Sequence, residues 1–223
     1  MTRLSYLDTS LLDDDGLFAA VYRTLSSYRQ EKADALRFRK DKNLCLGAGL
    51  LLDAALRERG LRERDVQYAL GENGKPYLPE IPGLHFNLSH SGTVVLGVFS
   101  GREVGCDVER LGHADDRLAR RCFTEEEYRR YAAIVDDTER TRYFYRLWTR
   151  KESLMKATGR GLLLPPETIC CTEERITAAG VDGKYCCYAY SQIDGYAAAV
   201  CIAGTEPKPA LICRNDLPEQ MGK

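Results

Sequence analysis

Glu152 and Lys156 stand four residues apart in the stretch Leu147–Gly161, Leu-Trp-Thr-Arg-Lys-Glu-Ser-Leu-Met-Lys-Ala-Thr-Gly-Arg-Gly. Good helix formers fill it, Gly159 and Gly161 close it, and Pro165-Pro166 lies beyond, so the spacing predicts a helix ending near those glycines. Residues i and i+4 share a helix face, which puts the carboxylate and the ammonium side by side, with Trp148 one turn before. Leu147 and Leu154 fall roughly opposite and face a core. One chemical reading of the pair is a metal and a phosphate held together. The other is a surface ion pair worth about 0.3–0.5 kcal/mol.

Asp107 and Glu109 occur in Val104-Gly-Cys-Asp-Val-Glu. Alternation on a strand puts both acids on one face, with Val104, Cys106 and Val108 turned into a core. Gly105 permits close approach of another backbone. Two neighbouring carboxylates repel, which raises one pKa unless a cation sits between them. With Glu152 added, three oxygen donors and no cysteine or histidine suit magnesium better than zinc. An exposed acidic strand face is the alternative for the two acids alone. His90, in Asn-Leu-Ser-His-Ser-Gly, reads as part of a small-residue turn whose Ser89 and Ser91 hydroxyls and amides can donate to phosphate oxygens. Lys75, before Pro76 in a glycine-rich loop, is by itself an exposed lysine.

These residues need elements to carry them. A strand is expected near residues 4–9, then a helix across Gly16–Leu25 capped by Asp13–Asp15. Ser26–Asp41 reads as helix, and the apolar run Leu44–Leu56, with Cys45, Gly47, Ala48 and Gly49, as a closely packed helix ended by Gly60. Val66–Leu70 is an expected strand, and Gly71–Pro79 a loop. Thr93–Ser100 and Val104–Glu109 read as two strands forming a hairpin. Arg117–Cys122 is a basic helix, Thr124–Glu127 a capping box opening another through Ala133, and Asp136–Glu139 the start of the long helix that ends in the opening stretch. Short strands follow at Cys170–Thr172, Ile176, Tyr185–Tyr190 and Tyr196–Ala203, then a strand and tail. A basic helix running into an apolar Gly/Leu segment occurs twice, at Arg37–Leu52 and Arg146–Leu164, each followed by a hairpin-like stretch. This echo suggests a duplication and not the parallel doubly wound kind.

The chain has 223 residues, 44% hydrophobic and 29% charged, with a net charge of −1. Such a balance suits a globular domain with a real core and gives no general affinity for nucleic acid. No apolar run reaches the roughly 18 residues of a membrane span, and the N-terminus lacks a signal peptide's apolar region, so a cytoplasmic location is expected. Nine cysteines without a Cys-x-x-Cys pair read as reduced, small, buried apolar residues.

Four blocks occur in order: Gly-Lys-Pro-Tyr (74–77), Phe-Asn-Leu-Ser-His-Ser (86–91), Val-Gly-Cys-Asp-Val-Glu (104–109) and Leu-Trp-Thr-Arg-Lys-Glu-Ser-Leu-Met-Lys (147–156), followed by Gly-Arg-Gly-Leu (159–162). In order and spacing the chain resembles Sfp-like 4′-phosphopantetheinyl transferases, most strongly over residues 74–165. The resemblance implies an α+β fold of two similar α/β halves, residues 1–103 and 104–223, with the active site between them. It implies magnesium (manganese is an alternative), coenzyme A as donor, and the serine of an apo acyl, peptidyl or aryl carrier protein as acceptor. By position, Asp107, Glu109 and Glu152 resemble the magnesium ligands and Lys156 the lysine at the transferred phosphate. Ser89 and His90 resemble coenzyme A phosphate contacts, and Lys75 part of the adenine-side loop. Glu152 is also a candidate base for the serine. The family often has an arginine for coenzyme A phosphate before the first-half small-Leu-Leu segment. Here Lys40-Asp-Lys-Asn-Leu44 stands there, and Lys40 or Lys42 would meet a phosphate as a point charge only. Two fused halves let a monomer suffice. The competing class is a non-catalytic module that holds coenzyme A or a carrier protein without turnover.

Overall fold

A computed structural model describes residues 1–171 and 175–221, so the expected strand through Thr172 ends outside the described residues. In chain order the elements are β1 (Arg3–Asp8), α1 (Asp15–Thr24), α2 (Ser27–Asp34), α3 (Arg39–Arg57), β2 (Ala69–Leu70), β3 (Pro76–Tyr77), β4 (His85–Ser91), β5 (Val94–Ser100) and β6 (Val104–Arg110). They continue with α4 (Asp116–Cys122), α5 (Glu125–Ala132), α6 (Asp137–Ala157), β7 (Ile169–Cys170), β8 (Arg175–Ala178), β9 (Tyr185–Tyr190), β10 (Tyr196–Ala203), β11 (Leu211–Cys213) and α7 (Leu217–Met221). The fold is α+β.

One sheet has the order β11-β1-β5-β4, and a second the order β6-β10-β9-β8-β7. Within them, β1-β5-β4 and β6-β10-β9 are both antiparallel triplets in which the first strand pairs with the last strand of a later hairpin. A long helix, α3 or α6, precedes each hairpin and packs on its sheet. The expected echo thus has a topological counterpart. β11 departs from it, since the end of the chain returns to pair parallel with β1.

Period-two alternation sorts the side chains into layers. Even-numbered residues of β6 and β10, such as Val104, Cys106, Val108 and Val200, pack against Leu96 and Val98 of β5 in a core between the sheets. Odd-numbered Ala199 and Cys201 of β10 lie beneath Leu147 and Leu154 of α6. On the other side, α3 packs Leu46, Leu50 and Leu51 with Leu7, Phe86 and Val95. Gly47 and Gly49 make that contact close, because a Cβ at either would lie 2.5 Å from Thr9 or 2.8 Å from Leu25. Seven of the cysteines are buried, Cys170 is partly so, and Cys213 is exposed, so the apolar-filler reading fails for Cys213.

Four expectations change. The helix over Ser26–Asp41 breaks after Asp34, because α2 turns Ala33 inward while α3 must start afresh at Arg39 to lay its own apolar face on the sheet. Only Ala69–Leu70 of the Val66–Leu70 strand pairs, with Pro76–Tyr77 inside the expected loop. β5 and β6 follow each other but form no hairpin: both edges of β5 are taken, by β1 and β4, so β6 joins the second sheet. Ser89 and His90 lie on strand β4 and not in a turn, which comes after Ser91.

Candidate active site at the seam of two sheets

The edge strands β4 and β6 run side by side where the two sheets meet, and side chains of β4 replace a backbone ladder. Asn87 Oδ1 accepts the Cys106 N–H at 2.9 Å, Ser89 Oγ the Val108 N–H at 3.4 Å, and Ser91 Oγ the Arg110 N–H at 3.1 Å. The same hydroxyls donate to the acids of β6: Ser89 Oγ to Asp107 Oδ1 at 2.9 Å and Ser91 Oγ to Glu109 Oε2 at 2.9 Å.

Helix α6 closes the site from above. Gly105 allows this, since a Cβ there would lie 2.1 Å from Ser153 O and 2.3 Å from Ala157 N. The close approach delivers the Lys156 ammonium to Asp107 Oδ1 at 2.6 Å and Ser89 Oγ at 3.1 Å. Burial alone would lower the Lys156 pKa, but the charge and hydrogen bond of Asp107 outweigh it and the net shift is upward. Lys156 is therefore a fixed cation at neutral pH. The opening alternative of an exposed i,i+4 pair falls away: the partner of Lys156 is Asp107, on another element.

Burial, reinforced by the neighbouring Asp107, raises the Glu109 pKa; Glu152 is raised by burial and by both Asp107 and Glu109, against the pull of Lys156. The three acids thus feel one another. Asp107 is buried and, among the described residues, its Oδ2 has no hydrogen-bond partner. An orphaned carboxylate oxygen beside two raised carboxyls is an all-oxygen donor set of the kind a hard divalent cation takes. Among the described residues, no three acids, histidines or cysteines are already drawn together tightly enough to hold a metal.

His90 stands at the outer end of β4 on the opposite face from Ser89 and Ser91. Desolvation in the cleft and repulsion from Lys156 hold its pKa below the usual value. It borders a cavity of about 400 Å³ lined also by Tyr28, Arg29, Lys32, Tyr68 and Pro76. Tyr28 and Tyr68 stack there with centroids 4.5 Å apart, and Lys32 lies 5.9 Å over the Tyr28 ring. Neither Lys40 nor Lys42 lines this cavity; Arg29 and Lys32 of α2 do. They fall in the basic cluster Arg29–Lys42, but the sequence assigns neither a role, because nothing in a short helix of mixed charge says which of its turns faces a strand 60 residues away. Lys75 does not reach the acids: its Nζ donates to Val104 O and Ala157 O, each at 2.9 Å.

Beside the site, Lys151 is fully buried and pairs with Glu127 Oε2 at 2.7 Å, while Glu127 also accepts the Cys171 and Thr124 N–H groups at 2.9 Å each. The capping box announced Glu127 as a cap; its role as a counter-ion beneath α6 had no sequence signal.

The seam thus brings together Asp107, Ser89 and Lys156, with Glu109 and Glu152 within electrostatic reach, while His90 faces the neighbouring cavity. Residues 103–201 match the model of the 4′-phosphopantetheinyl transferase superfamily. Over 206 residues the chain is 32% identical to a 4′-phosphopantetheinyl transferase of Bacillus subtilis, covering 89% of this chain and 90% of that one. It is also 32% identical over 185 residues to 4′-phosphopantetheinyl transferase Sfp of Bacillus subtilis strain 168, with 80% and 82% covered. To HetI of Nostoc sp. strain PCC 7120 it is 34% identical over 146 residues, with 62% and 61% covered. The chain belongs to the Sfp-like 4′-phosphopantetheinyl transferases.

Proposed function

We propose that this protein transfers 4′-phosphopantetheine from coenzyme A to a serine of an apo carrier protein, acyl, peptidyl or aryl, releasing 3′,5′-ADP. The observation that carries this reading is the Lys156–Asp107–Ser89 cluster at the seam, with an unpartnered Asp107 oxygen beside two raised glutamates. The proposal takes residues 1–103 and 104–223 as the two halves, supported by their matching antiparallel triplets. It also takes the protein as a cytoplasmic monomer; among the described residues, no helix is long and apolar enough to cross a membrane.

In this reading the serine oxygen forms a bond to the β-phosphorus of coenzyme A as the bond from that phosphorus to the bridging oxygen breaks. Asp107, Glu109 and Glu152 would hold magnesium, which when bound neutralises charge on the pyrophosphate. Glu152, one helical turn before Lys156, is the candidate that would take the serine proton. Lys156 stabilises charge as it builds on the phosphate, because its raised pKa makes it a poor proton donor. His90 and Lys32 border the cavity where the nucleotide phosphate of coenzyme A would lie. Ser89 orients Asp107 and Lys156 and acts through them, its one proton being given to Asp107.

The test is incubation with coenzyme A, magnesium and an apo carrier protein, read by intact mass. Transfer should occur, stop in EDTA, and nearly vanish in Asp107→Ala while the circular dichroism spectrum is kept. Full transfer in EDTA would remove the metal assignment; no transfer to any class of apo carrier would remove the activity.

A further inference from the structure

We propose that the Lys75 ammonium is a clasp between the two halves, a positioning residue that holds β6 and the end of α6 in register rather than a contact to the nucleotide; the catalytic consequence rests on the function proposed above. Its two acceptors are placed where that would matter. Val104 is the first residue of β6, three before Asp107, and Ala157 is the last of α6, one after Lys156 and five after Glu152. One ammonium from the first half therefore ties the start of β6 to the end of α6, at 2.9 Å each.

The chemistry suits a clasp. The last carbonyls of a helix lack intrahelical partners and carry partial negative charge, so a cation there both satisfies Ala157 O and complements the dipole. The loop that presents Lys75 is itself fixed: Gly71 N–H donates to Lys75 O at 2.9 Å, Gly74 N–H donates to Gly71 O at 2.9 Å, and Gly74 has a φ of 79°. The stem runs beside Gly159, where a Cβ would sit 3.7 Å from Lys75 Cδ. Two of the three ammonium donors are spent on neutral carbonyls, and burial lowers its pKa. The head is held by backbone carbonyls of the other half, with the Glu103 charge acting against the lowering by burial.

The experiment compares wild type with Lys75→Met, which keeps the stem and removes the donors, and Lys75→Arg, which keeps the charge and can reach the carbonyls. Amide hydrogen exchange is followed at residues 104–110 and 154–159, coenzyme A binding by calorimetry, and kcat at saturating coenzyme A. In Lys75→Met, exchange should quicken in those two segments with the rest of the protein unchanged. Its kcat should fall about 10-fold or more, since misplacing catalytic groups by an ångström costs up to ~100-fold. Coenzyme A affinity should shift by less than about 3-fold, and Lys75→Arg should recover much of kcat. Weakened coenzyme A binding with kcat intact would show a ligand contact and overturn the clasp, as would unchanged exchange in both segments. If the wild type transfers nothing, the function proposal fails on its own and the exchange data still decide the clasp.

Discussion

Gly105→Ala is the smallest change that tests whether the contact between α6 and β6 builds the site. The added Cβ would lie 2.1 Å from Ser153 O, 2.3 Å from Ala157 N and 2.8 Å from Lys156 C. These are backbone atoms of one helix, so no rotamer relieves them. Bringing the nearest out to an ordinary 3.4 Å requires α6 and β6 to separate by about 1.3 Å. Two effects oppose. Replacing glycine within a strand reduces unfolded-state entropy, which stabilises by about 0.4–1 kcal/mol. Overpacking against a main chain costs about 1–3 kcal/mol or more. The second wins, and a net loss of roughly 1–2 kcal/mol is expected in urea unfolding. The catalytic effect should be larger, because the same separation stretches the 2.6 Å Lys156–Asp107 contact. A misplacement of this size costs up to ~100-fold in rate. The assay is single-carrier transfer kinetics at saturating coenzyme A beside urea denaturation of the same sample. A variant with wild-type stability and wild-type kcat would refute the argument that glycine at 105 sets the helix in place.

His90→Ala should raise KM for coenzyme A with a smaller loss in kcat, whereas Lys156→Ala should lower kcat by roughly 10²-fold, the scale of losing one charge-stabilising donor; steady-state kinetics separates them. Lys151→Met strands Glu127 as a buried carboxylate without its cation and should cost about 3–5 kcal/mol in urea unfolding, much of it recovered by adding Glu127→Gln. Burial alone would raise the Glu127 pKa, but Lys151 and the N–H donors outweigh it and depress the value. A depressed carboxyl stabilises fully above its unfolded pKa, so this contribution should begin to fall below about pH 4.3 and be lost as pH drops through the lower folded-state value; a urea midpoint that stays flat down to pH 3 would contradict it.

What sequence could show was set by distance along the chain. Helix caps and turn glycines are local, so Asp14, Thr124, Asp136 and Gly60 marked their boundaries correctly. Alternation is also local, and it placed Asp107 and Glu109 on one face with Val104, Cys106 and Val108 in the core. Strand partners are not local. The pattern of Val94–Ser100 followed by Val104–Arg110 is that of a hairpin, and the pairing of both β5 edges, with β1 and β4, prevents one. Cross-element counter-ions were equally hidden: Lys156 was read beside Glu152, its helix neighbour, but its hydrogen bonds go to Asp107 and Ser89.

The Asn87-Leu-Ser-His-Ser91 segment shows why the seam needs those residue types at a spacing of two. Buried N–H groups on a strand edge must be answered, and a neighbouring strand would ordinarily do it with carbonyls. Here side chains answer Cys106, Val108 and Arg110, so the neighbouring strand supplies groups that can do more than accept. An asparagine carbonyl can only accept, and Asn87 stands where β6 presents Gly105, which has no side chain to orient. A hydroxyl accepts with its lone pairs and donates its proton. Ser89 and Ser91 do both, taking an N–H from β6 and giving a hydrogen to the acid beside it, Asp107 or Glu109. Ser89 has a further acceptance from Lys156, which fills its capacity and fixes the ammonium over the same carboxylate. Joining the halves and aiming the acids are therefore one set of hydrogen bonds. A substitution such as Ser89→Ala would release the Val108 N–H, the Asp107 oxygen and the Lys156 ammonium together, coupling loss of the seam to loss of the site.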